Sequence, residues 1–140
     1  RTPPTARTLQ LPGSVLIFTA IADPALQQPL RAVGAEIVVA PLIEPGLDLH
    51  TVMAELARRE CNEIHVECGP TLAGSLLQAG LMDEIVVYIA PLILGDKARG
   101  LLQLPELTQM SKRTELQILD MRAVGQDWRM TVKLKTPPLF

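Results

Sequence analysis

Aromatic side chains are nearly missing from this sequence: Phe18, Tyr88, Trp128 and Phe140 are the whole set. That argues against a platform on which single-stranded nucleic acid would stack its bases. Charge of one sign is missing too. Thirteen Lys and Arg against fifteen Asp and Glu leave a net charge of −2, which gives no electrostatic pull toward nucleic acid or an anionic membrane. Cys61 and Cys68 are the only cysteines. Two thiols make no disulfide framework, and both are expected to stay reduced and to serve as small apolar packing residues. No apolar run reaches the roughly 18 residues that span a bilayer, and no signal-peptide pattern opens the chain. The expectation is a soluble, cytoplasmic protein.

What is present is ample material for a core. Hydrophobic residues make up 48% of the 140 positions, which suits one domain built round one core. The first fourteen residues, RTPPTARTLQLPGS, show no hydrophobic period and start at Arg1 rather than Met. They read as an irregular lead-in entered from upstream, so the expectation is a piece of a longer protein.

From residue 15 the pattern is regular. VLIFTA (15–20) suits a buried strand. Asp23-Pro24 offers an N-cap followed by Pro at the first helical position, and the helix should run to about Val33 and end at Gly34. EIVVAPL (36–42) is the next strand, stopped by Pro41 and Pro45. Asp48 caps an amphipathic helix, LHTVMAELARRE, with Leu49, Val52, Met53, Leu56 and Ala57 on one stripe. EIHVEC (63–68) reads as a third strand, Pro70–Ala79 as a third helix ending at Gly80, and EIVVYIAPLIL (84–94) as a long strand. Strands alternating with helices imply parallel pairing through crossovers, with helices on both faces of the sheet. ELQILDMRAV (115–124) and WRMTVKLK (128–135), joined through Gly125-Gln126-Asp127, read as an antiparallel hairpin. The fold expected is a mixed, mostly parallel α/β/α sheet with an antiparallel C-terminal hairpin.

The stretch VECGPTLAGSL (66–76) lies where open α/β sheets bind ligands, beyond a strand's carboxyl end. With Gly69 as N-cap and Pro70 behind it, the amides of Thr71, Leu72 and Ala73 are expected to be unpaired and aimed out along the helix axis. A phosphate fits there without Lys or Arg. Thr71 and Ser75 could add hydroxyl donors, and Gly74 would let the helix lie close to the sheet or a ligand. The named phosphate motifs fail. A P-loop matches at Gly69 and Gly74 but has Ser75 in place of its Lys and Leu76 in place of its Ser or Thr. The dinucleotide fingerprint has Thr71 at its middle glycine, and Asp83 and Glu84 come too early to be its ribose acid. His65-Val66-Glu67 spells half of the zinc-deaminase signature, but no cysteine follows Cys68, so no thiolate pair is available for a metal.

On a strand, residues 63, 65 and 67 share one face, while Ile64, Val66 and Cys68 face the other and suit a core. Spacing alone leaves two readings of Glu67: an exposed strand-end acid, or a polar group that orients a substrate beside a bound phosphate. His65 reads as a structural or surface residue and His50 as a solvated helix residue.

The run VECGPTLAGSLLQAGLMDEIVVYIAPLILG (66–95) closely resembles the C-terminal reductase domain of the bifunctional riboflavin-biosynthesis deaminase/reductase. Residues 12–30 and 45–64 match more loosely. The resemblance implies a fold like dihydrofolate reductase. It also implies NADPH-dependent reduction of the ribosyl group of 5-amino-6-(5-phosphoribosylamino)uracil to its ribityl form, and dimers. It places Gly69, Pro70, Thr71, Leu72, Ala73, Gly74 and Ser75 on the NADPH phosphates and Glu67 on the substrate. No catalytic side chain and no metal ligand is identified. Cys68 departs from the Gly or Ala usual in the family. The family's first strand and helix, most of its substrate-gripping groups and any fused zinc deaminase domain would precede Arg1. This chain is therefore expected to be an incomplete catalyst that binds NADPH weakly on its own. Two alternatives stand beside this reading: a non-catalytic α/β dimerisation module, and a related reductase for another pyrimidine or pterin-like substrate. Arg58, Arg59, Lys97 and Arg99 are available to a ribose 2′-phosphate, but spacing selects none of them, and surface solvation is the plain role for each.

Overall fold

The computed structural model describes residues 2–44 and 46–135. Arg1, the strand stop at Pro45 and the aromatic Phe140 lie outside the described residues. The chain divides into two compact units, one up to Ile64 and one from His65 onward.

In the N-terminal unit the lead-in holds only a short 3-10 turn at Arg7–Gln10. Strand β1 (Leu16–Thr19) pairs in parallel with β2 (Glu36–Val39), Leu16 opposite Glu36 and Thr19 opposite Val39. The crossover between them is α1 (Pro24–Arg31). It starts where a capped first turn should, with the Ala25 amide donating to Asp23 Oδ1 at 2.9 Å. It ends before Gly34, whose φ of +90° suits glycine. Pro29 lies inside α1 and has no N–H to return to the Ala25 carbonyl, so this helix depends on its contacts with the sheet. Arg31 supplies one of them: Nη2 donates to Gln27 Oε1 at 2.9 Å and to the Ile37 carbonyl at 3.2 Å. A two-residue hairpin, β3 (Leu42–Ile43) with β4 (Gly46–Leu47), follows. Helix α2 (Leu49–Arg58) is capped by Asp48, which accepts from the His50 amide at 3.0 Å and the Thr51 hydroxyl at 2.6 Å.

Glu55 of α2 is the centre of an ion network. It accepts from Arg58 and Arg59 at 2.7 Å each, and Arg59 reaches on to Glu36 of β2 with Nη1 2.8 Å from Oε2. The two guanidinium hydrogen bonds hold the Glu55 carboxyl down at about 2, from an ordinary 4.5. A carboxyl whose folded pKa is depressed contributes stability that is complete above its unfolded value and is lost as pH falls toward the folded one. Acid loss of stability between pH 4.5 and about 2 should therefore flatten in Glu55→Gln. A carboxyl-carbon NMR titration should place the Glu55 midpoint near 2; a midpoint above about 4 would show the network does not form in solution.

The C-terminal unit opens without a strand. Residues 61–69 carry neither helix nor strand, and Ile64 and Val66 are 41% and 42% exposed. The third strand expected at 63–68 is thus absent among the described residues. Cys61 and Cys68, expected as packing residues, are both exposed. An apolar alternating pattern gives a segment the capacity to extend, but a strand exists only with a ladder partner, and no described strand pairs with this one.

Helix α3 (Pro70–Gln78) has Gly69 as N-cap and buries Gly74, Leu76 and Leu77. Gly80, at φ +67°, follows its last turn. Strand β5 (Glu84–Ile89) stops short of the expected Leu94, ahead of Pro91. It also does not pair in parallel, which corrects the expectation of a mostly parallel sheet: among the described strands only β1 and β2 pair in parallel. The sheet order is β5-β7-β6, with β6 (Leu116–Val124) and β7 (Asp127–Leu134) forming the expected hairpin and β5 antiparallel to β7. The hairpin turn is Gly125-Gln126; only Gly125 has positive φ, at +63°, the pattern of a type II′ turn. Register gathers Ile85, Val87, Met130, Val132, Ile118 and Met121 onto one face. Val132 is buried, but β6 is an edge strand with all nine residues exposed.

Candidate functional site

The site is built at the start of α3. Gly69 is extended, at φ −79° and ψ 171°, and Pro70 sets the first helical φ. The Ala73 amide donates to the Gly69 carbonyl at 3.1 Å and closes the first turn. That corrects the expectation for Ala73: in an α-helix the residue four beyond the cap already has a partner, so its N–H does not face outward. The amides of Thr71 and Leu72 have no acceptor among the described residues. Gly69 has no side chain to cap them, and a Cβ built there would meet nothing within 4 Å. The space beside Gly69 is open, and the two free amides make up the partial positive charge of the helix end.

Gly74 plays a different part. A Cβ there would overlap the Gln103 carbonyl oxygen and lie 2.9 Å from the Gln103 carbonyl carbon. The close approach admitted by this glycine is to the chain's own backbone. Residues 90–109, which carry no helix or strand, run across α3 as a strap at this point. The Gln103 amide donates to the Pro70 carbonyl at 3.0 Å. The Thr71 hydroxyl donates to Gln103 Oε1 at 2.8 Å, and the Ser75 hydroxyl donates to the Thr71 carbonyl at 3.0 Å. Both hydroxyl protons are therefore engaged within the protein, and of the first turn's own donors the backbone amides of Thr71 and Leu72 stay open. Gln103 was not among the residues singled out from the sequence; a contact across 32 positions leaves no local periodicity or motif to find it by.

Glu67 lies just ahead of this turn with its side chain 87% exposed. Its one side-chain polar contact among the described residues is with His65, whose Nε2 is 3.3 Å from Oε1. Glu67 is thus available to a ligand, and no buried partner among the described residues holds it as a structural group. Of the four cations considered for a ribose phosphate, Arg58 and Arg59 are engaged by Glu55 and Glu36. Lys97 and Arg99 lie on the exposed strap, with no ion pair among the described residues. No cluster of three metal-binding side chains occurs among the described residues. A separate cavity of about 290 Å³ lies in the N-terminal unit, lined by Ile17, Thr19, Leu26, Leu30 and Ile37 among others. None of the candidate site residues lines it. No described helix is long and apolar enough to cross a membrane.

Comparison with known proteins gives this geometry a family. Residues 1–130 match the family model described as the RibD C-terminal domain. The riboflavin biosynthesis protein RibD of Escherichia coli (strain K12) is 39% identical over 127 residues, which are 91% of this chain and 34% of that protein. The 2,5-diamino-6-ribosylamino-4(3H)-pyrimidinone 5′-phosphate reductase of Methanothermobacter thermautotrophicus is 31% identical over 128 residues, 91% of this chain and 58% of that protein. Among solved structures, Acinetobacter baumannii RibD superposes with a TM-score of 0.80 at 28% identity, over 96% of this chain and 35% of that one. This chain therefore spans about a third of each of these two RibD proteins. The likeness carries the mixed α/β, dihydrofolate-reductase-like fold expected from the sequence. The chain belongs to the RibD C-terminal domain family.

Proposed function

We propose that this chain is the C-terminal portion of a single NADPH-dependent reductase domain of riboflavin biosynthesis, acting on 5-amino-6-(5-phosphoribosylamino)uracil. The observation that carries the reading is the open, side-chain-free start of α3 in a chain of this family. The residues present fit a cofactor phosphate: Gly69 leaves its space unfilled, and the Thr71 and Leu72 amides supply donors at the positive end of a helix. Pro70, Ala73, Gly74 and Ser75 shape that turn rather than donate to the anion. When bound, the nicotinamide cofactor supplies the hydride that reduces C1 of the opened sugar. Glu67, exposed beside the cradle, binds and orients the substrate, holding its carbon in attack geometry. NADPH rather than NADH is part of the proposal, with Lys97 and Arg99 as the strap cations that have no ion pair among the described residues. We further assign the protein to the cytoplasm, as a homodimer that uses the exposed β6 edge, with a deaminase domain fused upstream.

The test is made on the natural gene product that carries these residues. Saturable quenching or enhancement of NADPH fluorescence, with oxidation of NADPH by the pyrimidine substrate, is the expected result. No saturable binding would favour a non-catalytic module. Glu67→Ala should lower kcat/KM about 10- to 100-fold, the loss of one hydrogen bond to a charged group, and leave the Kd for NADPH in place. An unchanged kcat/KM would remove Glu67 from the substrate site. The Methanothermobacter relative, whose name specifies a diaminopyrimidinone, supports a second reading in which the same cradle serves that substrate. Comparing kcat/KM for the two pyrimidines decides between them.

A further inference from the structure

We propose that Gln103 is a positioning residue for the ligand-binding turn of α3, presenting its side-chain amide to the bound anion and fixing the direction of the Thr71 hydroxyl. This rests on reading the start of α3 as the cofactor phosphate site. Gln103 is held to the helix by three separate features. Its backbone amide donates to Pro70, its backbone carbonyl lies against Gly74, and its Oε1 accepts from Thr71. The first two use only main chain, so the strap stays docked whatever side chain stands at 103. The side chain is then free for another task, and it is exposed at the site, where a pure anchor would be covered.

A side-chain amide carries an acceptor oxygen and two N–H donors. With Oε1 facing Thr71, both Nε2 donors remain without an acceptor among the described residues. With the amide turned over, Nε2 donates to Thr71 Oγ1 and the Thr71 proton is released instead. In either orientation the Thr71–Gln103 pair leaves a donor free on the first turn of α3, the turn that carries the Thr71 and Leu72 amides. It does so without a cation, in keeping with a cradle that has no Lys or Arg of its own. The pair is also ordered before the ligand arrives, which lowers the entropy cost of binding through a long side chain.

Two variants in the natural gene product separate this role from a structural one. Gln103→Glu keeps an acceptor for Thr71 and so keeps the anchor, but replaces the donors with negative charge. Gln103→Leu removes anchor and donors together. NADPH titration should show Gln103→Glu weakened by about tenfold or more, with the deficit shrinking as salt rises from about 50 to 500 mM. Gln103→Leu should be weakened about three- to tenfold with no added salt dependence. A merely structural anchor gives the reverse order, with Gln103→Glu near wild type and Gln103→Leu worst. That order, or wild-type affinity in both variants, overturns the assignment while the functional reading stands. Absence of NADPH binding by the wild-type protein overturns both.

Discussion

Gly74→Ala should lower the melting temperature by about 5–10 °C and release the strap from α3. Alanine is the better helix former by about 1 kcal/mol, so on an open helix face the same change would stabilise. Here the added Cβ overlaps the Gln103 carbonyl oxygen, and the atoms in the way are backbone, not the far end of a flexible side chain. The carbonyl must retreat. As it moves, the Gln103 amide leaves Pro70 and its side chain leaves Thr71, so two hydrogen bonds go with one methyl group. Overpacking of this kind costs about 1–3 kcal/mol, and each lost hydrogen bond adds about 1 kcal/mol. The net is about 2–4 kcal/mol after the helix gain, whose lower end corresponds, for a chain of this size, to the stated shift. Thermal unfolding measures the first part. Hydrogen exchange at residues 101–104, expected to lose protection, measures the second. A variant that melts at or above wild type would show that the strap does not lie on Gly74.

Gly74 also shows what the sequence could and could not announce. Its place in a GPTLAGS turn suggests a close approach to something, and nothing in the letters says whether that is ligand, sheet or strap. Most signals that act within a few residues were legible, although EIVVAPL, read as one strand, ends at Val39 and Leu42–Ile43 turns into a hairpin with Gly46–Leu47 instead. Asp23 and Asp48 cap their helices as their side chains dictate, Gly69-Pro70 starts α3, Gly125 makes the hairpin turn, and β1 and β2 pair in parallel around α1. Partnerships between distant segments were not. The pattern of EIVVYI is equally good for either strand direction, and β7, more than forty positions later in sequence, makes it antiparallel. EIHVEC has a good strand pattern and no described partner, so Ile64 and Val66 remain exposed. The same limit applies to the site. Glu67 and the glycines stand out by local chemistry, whereas Gln103 enters only through the tertiary path of the strap.

Gly69→Asp should make the protein more stable and abolish its cofactor binding. The backbone at 69 is extended and open to any residue, and its Cβ would enter empty space, so the substitution brings neither strain nor clash. Aspartate at an N-cap accepts from the amides of the first turn and places negative charge at the helix's positive end. Together these add a few tenths to about 1 kcal/mol, or a rise of a few degrees in Tm. Those amides are the Thr71 and Leu72 donors assigned to the phosphate. Capping them from within withdraws two charge-assisted hydrogen bonds and puts a carboxylate where the anion would sit. Each such bond is worth about 1.5–3 kcal/mol, so NADPH affinity should fall by at least about 100-fold. Gly69→Ser, which caps without charge, should fall between wild type and aspartate in affinity and keep the stability gain. The opposite signs are the point of the experiment. A folding defect lowers Tm and binding together, whereas a ligand site built from unsatisfied helix amides gains the one and loses the other. Wild-type affinity in Gly69→Asp would mean that the start of α3 is not where the phosphate binds.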